Sequence, residues 1–102
     1  MRAMREAVLE RGSGRTLEID AGPVHMELVG RPVPAGAELA ISVRNAATKE
    51  PVGALELALI PERGAPFTTA TDSRGRAAFS LPRGETRLRI YTEPVFELVL
   101  RY

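Results

Sequence analysis

The sequence predicts an all-β fold, a seven- to eight-stranded sandwich carried behind a short N-terminal helix. Three observations predict it. From Thr16 to the C-terminal end, apolar and polar residues alternate with a period of two. The breaks between the alternating runs are rich in Gly and Pro. No helical period separates one run from the next, which favours a sandwich or barrel over a βαβ fold.

The first element spans Met1–Arg11, where Met1, Met4 and Val8 fall on one helical face and Arg2, Arg5, Glu6 and Glu10 fall elsewhere. Gly12-Ser13-Gly14 then forms a flexible joint, so residues 1–14 are expected to be helix and joint and residues 15–102 a single sandwich domain. A helix of about eleven residues is marginal alone and has to pack on the sandwich or serve as a docking arm for a partner.

Seven alternating runs follow. Leu17 and Ile19 alternate with Thr16, Glu18 and Asp20; Val24, Met26 and Leu28 alternate with His25 and Glu27. Leu39, Ile41 and Val43 alternate with Glu38, Ala40, Ser42 and Arg44, and Leu55, Leu57 and Leu59 alternate with Glu56 and Ala58. Ala77, Phe79 and Leu81 alternate with Arg76, Ala78 and Ser80. Leu88 and Ile90 alternate with Arg87 and Arg89, and Phe96, Leu98 and Leu100 with Glu97 and Arg101. One apolar and one wet face per strand is the signature of antiparallel sheets packed on each other. Turn residues punctuate the runs at 21–23, 32–36, 62–66, 72–75 and 82–84.

Composition narrows the function. The chain has 102 residues, enough for one modest core. Its 14 basic and 13 acidic side chains leave a net charge of +1, which offers no global pull toward nucleic acid or anionic lipid. Cysteine is absent, which removes disulfides, thiol nucleophiles and thiolate metal sites and favours a cytoplasmic setting. No apolar run approaches membrane-spanning length, and the N-terminal residues predict no signal peptide. Neither membrane nor nucleic acid is an expected partner.

Two stretches carry a resemblance. Lys49-Glu50-Pro51-Val52-Gly53-Ala54-Leu55-Glu56-Leu57 is similar to a "kPvaGAxVxL" pattern. Thr69–Phe79, with Thr71, Asp72, Gly75 and Phe79, is similar to "T-D-x-x-G-x-x-x-F", and Leu81-Pro82-Arg83-Gly84 followed by Leu88 and Ile90 to "L-P-x-G-x-Y-x-L-x-I". Over Thr48–Pro94 the chain thus resembles transthyretin-like and carboxypeptidase-regulatory-like domains, including collagen-adhesin B-type repeats. Arg87 stands near the family's tyrosine position. The resemblance implies a Greek-key, immunoglobulin- or transthyretin-like sandwich, with Asp72 and Gly75 closing a tight turn. A fainter resemblance, over Arg15–Tyr91, is to small bacterial accessory proteins encoded beside sigma factors, which implies a regulatory role.

Enzymatic chemistry is not expected. Hydroxyisourate hydrolases of the transthyretin-like branch need several histidines; this chain has one, His25. No G-x-S-x-G elbow exists, and Ser80 has no motif partner. The isopeptide cross-link of adhesin repeats lacks its residues, since the only lysine, Lys49, lies in a polar turn, the only asparagine, Asn45, precedes it by four residues, and neither is expected on an apolar strand face. His25 reads as an exposed strand histidine, because a metal site would want a second imidazole or a carboxylate cluster. No cofactor is expected.

What remains is surface. Arg76, Arg87 and Arg89 are expected on the outward face of one hairpin, either solvated and balanced by Glu56 and Glu97 or presented to an acidic protein. The C-terminal strand is expected to offer a sheet edge with Val99 and Tyr102 exposed, joined by Tyr91, Val29 and Ile60 if these cluster. The favoured function is a non-catalytic protein-interaction or regulatory module, with another protein as partner or a second copy paired through a sheet edge. The alternative is a small-ligand or carbohydrate-binding domain, although the chain has no Trp and two Tyr to stack on sugars.

Overall fold

Alternation of the kind just described needs neighbouring strands to hide its apolar side, and the chain supplies them in two sheets. The structure, a computed structural model, describes residues 3–8, 16–34, 36–81, 84–92 and 95–101. Within them lie nine strands: β1 (Ala3–Val8), β2 (Thr16–Ala21), β3 (Val24–Val33), β4 (Gly36–Asn45), β5 (Glu56–Pro61), β6 (Phe67–Ala70), β7 (Arg76–Ser80), β8 (Glu85–Ile90) and β9 (Phe96–Arg101). One sheet has the order β1-β9-β8-β5-β6 and the other β2-β3-β4-β7. All pairs are antiparallel except β1 with β9, which is parallel.

The expected N-terminal helix is not formed. Residues Ala3–Val8 run as a strand in register with Phe96–Arg101. An isolated helix of this length has too few hydrogen bonds to repay its nucleation, whereas a strand here meets a row of ready backbone partners along β9. The Gly12-Ser13-Gly14 joint lies outside the described residues.

Both sheets contribute to one apolar core. From the four-stranded sheet come Ile19, Met26, Leu28, Leu39, Ile41, Val43 and Phe79; from the other come Leu57, Leu59, Leu88, Ile90, Leu98 and Leu100. Leu57, Leu88 and Leu98 are completely buried, and Phe79 is 7% exposed. Side chains alternate across a strand, so His25, Glu27, Arg44 and Arg76 are turned to the opposite, outer face.

The turn between β6 and β7 is built as the sequence implied. Gly75 N donates to Asp72 O at 2.9 Å, and Asp72 Oδ1 accepts from the N–H groups of Arg74 (2.8 Å) and Arg76 (2.9 Å). Gly75 has φ +74°, and a Cβ there would collide with the backbone oxygen of Val43. The turn is also stitched to its surroundings: Val43 N donates to Gly75 O, while the Thr71 hydroxyl donates to Val52 O and accepts from Leu55 N.

One connection departs from expectation and decides where the functional surfaces lie. β7 and β8 do not form a hairpin. β7 pairs with β4, the chain crosses at Leu81, whose N–H donates to Ala37 O, and β8 pairs with β5 and β9 in the other sheet.

Candidate functional site

That crossing separates the arginines. Arg76 lies exposed on the outer face of the four-stranded sheet, whereas Arg87 and Arg89 lie on the outer face of the five-stranded one. The expectation that the three share a face is therefore corrected: a period of two sorts inside from outside but not one sheet from the other. Arg87 and Arg89 converge instead on Glu97, which is fully buried although it faces away from the core. Arg87 Nη1 is 3.4 Å from Glu97 Oε1, and Arg89 Nη2 is 3.3 Å from Oε2. A hydrogen bond to Tyr91, reinforced by Glu97, raises the Arg89 pKa above the ordinary arginine value.

Val99 is corrected as well. It is 9% exposed, because β9 is not an edge strand: β1 flanks it on one side and β8 on the other. Tyr91 is exposed, Ile60 is half-buried beside Arg87, and Val29 lies half-buried on the other sheet, so these residues form no common patch. Tyr102 lies outside the described residues.

Of the four strands that end the two sheets, β1 and β6 in one and β2 and β7 in the other, β6 and β7 come together at one rim. Hydrogen bonds from Leu81 N to Ala37 O and from Val43 N to Gly75 O set the phase of the β4–β7 ladder. In that phase Ala77 and Phe79 bond inward to β4, and the N–H and C=O groups of Ala78 and Ser80 point outward from the edge. Arg76 also points outward there, but Asp72 already takes its N–H and its carbonyl. Beside this edge runs a groove of about 330 Å³ lined by Phe67, Thr68, Thr69, Ala78, Phe79 and Ser80. Phe67 is 57% exposed, the most of any large apolar side chain among the described residues. Around the corner a second, more polar groove of about 560 Å³ includes Arg31, Glu38, Ser42, Asp72 and Arg76.

A third feature sits on the outer face of the other edge. The β2–β3 register sets Glu18 directly across from Glu27 and Asp20 across from His25. His25 Nδ1 is 2.8 Å from Asp20 Oδ1, and its Nε2 is 3.8 Å from Glu18 Oε1. The hydrogen bond to Asp20, helped by the charges of Asp20, Glu18 and Glu27, raises the His25 pKa above 6.5.

No family model, curated protein or solved structure matches this chain. The candidate features are the surfaces just described, the β6 and β7 edges and the grouping around His25.

Sequence reasoning missed two of them. The β6 edge was hidden because Phe67-Thr68-Thr69-Ala70 is too short to show alternation, although an aromatic followed by two threonines is strand-favouring composition. The grouping around His25 was hidden because each residue sits singly in its own run and only the register brings them together.

Proposed function

We propose that this chain is a non-catalytic protein-interaction module that binds an extended segment of another polypeptide along the outer edge of β7. The observation that carries this reading is the pairing of unused backbone groups at Ala78 and Ser80 with the exposed Phe67 beside them. Strand addition of this kind takes its affinity from main-chain hydrogen bonds and its selectivity from side-chain pockets, and the groove floored by Phe79 is such a pocket. β2, the opposite edge of the same sheet, is guarded by Glu18 and Asp20, whereas beyond Arg76 the exposed residues of β7 are the uncharged Ala78 and Ser80.

Other features support the same reading. The strand order is compatible with a Greek-key sandwich: β5, β6 and β7 follow one another around the rim, and β4 and β8 return beside β7 and β5. We assign the chain to that transthyretin-like architecture on this order and on the Asp72–Gly75 turn. The chain has a single histidine, so no second imidazole is present to complete an acid–base pair, which supports a non-catalytic role, and the absence of cysteine supports a cytoplasmic one.

The reading is tested with two variants and a hydrogen-exchange measurement. A β-strand peptide selected to bind the wild type should slow amide exchange at Ala78 and Ser80, and both Phe67→Asp and Ala78→Pro should abolish its binding while keeping the far-ultraviolet spectrum. Peptides that bind only at Arg87, Arg89 and Tyr91, or binding indifferent to Ala78→Pro, would defeat it. The small-ligand alternative rests on the polar groove at Arg31, Glu38 and Arg76; a glycan that raises the melting temperature of the wild type but not of Arg76→Ala would favour it.

A further inference from the structure

We infer that Glu18, His25 and Glu27 form a binding site for one divalent transition-metal ion, with Zn²⁺ the reference ion. One ligand atom from each of the three lies within 4.8 Å of the other two. In a tetrahedral site with bonds of about 2.0–2.1 Å, donor atoms stand about 3.3 Å apart. The 3.8 Å between His25 Nε2 and Glu18 Oε1 is thus about half an ångström from that spacing, within reach of a glutamate rotamer adjustment. One nitrogen and two carboxylate oxygens make a borderline donor set that suits zinc-like ions.

Two features make the site more than a group of exposed acids. A carboxylate can only accept, so His25 Nδ1–H donates to Asp20 Oδ1 at 2.8 Å, and the neutral ring then carries its lone pair at Nε2, on the side of Glu18. A carboxylate behind a ligating imidazole is how metal sites hold the ring and its tautomer. The register also forces Glu18 and Glu27, both acidic, directly opposite each other. Like charges so placed destabilise a ladder, and a metal ion bound between them would relieve that repulsion. Arg44, the residue in register with His25 on β4, does not serve, because its Nη1 donates to Lys49 O at 3.3 Å. β2 and β3 are joined by the two-residue turn at Gly22-Pro23, so the four side chains are held by one short hairpin. The site lies at the guarded edge, on the far side of the sheet from β7, and is independent of strand addition there.

Calorimetric titration of the full chain with ZnCl₂ in chelator-free buffer should show one equivalent bound. His25→Ala, Glu18→Gln and Glu27→Gln should each abolish or sharply weaken binding, and Asp20→Asn should weaken it by about 10- to 100-fold without changing the stoichiometry. Because the chain has one histidine, imidazole nitrogen spectra are unambiguous. Zn²⁺ should move the Nε2 resonance and leave Nδ1 protonated. The inference is overturned by an imidazole that saturating Zn²⁺ leaves unmoved, by coordination through Nδ1, or by affinity unchanged in His25→Ala.

Discussion

Gly75 is required for two separate reasons. Its φ of +74° disfavours a side chain, and the space where a Cβ would go is occupied by Val43 O. Gly75→Ala should therefore cost about 3 kcal/mol or more in chemical denaturation, above the penalty of a strained φ alone. Thr86 argues in the opposite direction. It is 1% exposed on the core face, and its hydroxyl has no hydrogen-bond partner. Thr86→Val removes that desolvated hydroxyl at nearly constant shape, so the midpoint of unfolding should rise, by about 1 kcal/mol in stability. Asp72 links the turn to pH. The N–H of Arg76 first, then that of Arg74, holds its pKa below 3.8. The stabilisation is therefore present above pH 3.8 and is lost as pH falls through the lower, folded value. Comparing urea midpoints of wild type and Asp72→Asn across that range should show the gap closing in acid.

At the scale of elements, the ladder phase makes neighbouring residues of β7 unequal. Proline at Ala77 would remove an inward hydrogen bond to β4 and should cost about 3 kcal/mol, whereas proline at Ala78 removes an outward N–H and should leave the fold intact. Thermal melts of the two variants check this directly, and the same pair separates folding from binding. β8 and β9 carry a second asymmetry. Arg89→Ala leaves the fully buried Glu97 with one fewer cation and should destabilise by about 3 kcal/mol. An exposed surface ion pair would be worth far less, so melting curves of Arg89→Ala and of the exposed Arg74→Ala should differ clearly. β1 teaches the same lesson about context. Its residues have an apolar spacing that suits a helix, yet the free edge of β9 turns them into a strand.

For the whole molecule, much of the interior was legible in advance. Each apolar residue at the centre of an alternating run, from Ile19 to Leu100, is buried, and the Asp72–Gly75 turn closes as its residues imply. The surfaces were less legible. Arg76 parts from Arg87 and Arg89, Val99 is covered, and Glu97, expected to balance the arginines in solvent, pairs with Arg87 and Arg89 from a buried position. Because both sheets feed one core, unfolding should be a single transition seen alike by far-ultraviolet dichroism and tyrosine fluorescence.

The amino-acid order by itself determined which side chains face inward, since successive Cβ atoms on a strand point to opposite sides whatever the strand pairs with. It also determined where the chain reverses, because a positive φ and an Asx-type turn are satisfied by residues a few positions apart. Only the tertiary structure decided which sheet each strand joins, which edge stays open and which charges meet. Those outcomes depend on how strands pair, for the most part between segments far apart in the chain, and even in the local β2–β3 hairpin a shift of one residue in register would regroup Glu18, His25 and Glu27 without altering a single run of alternation.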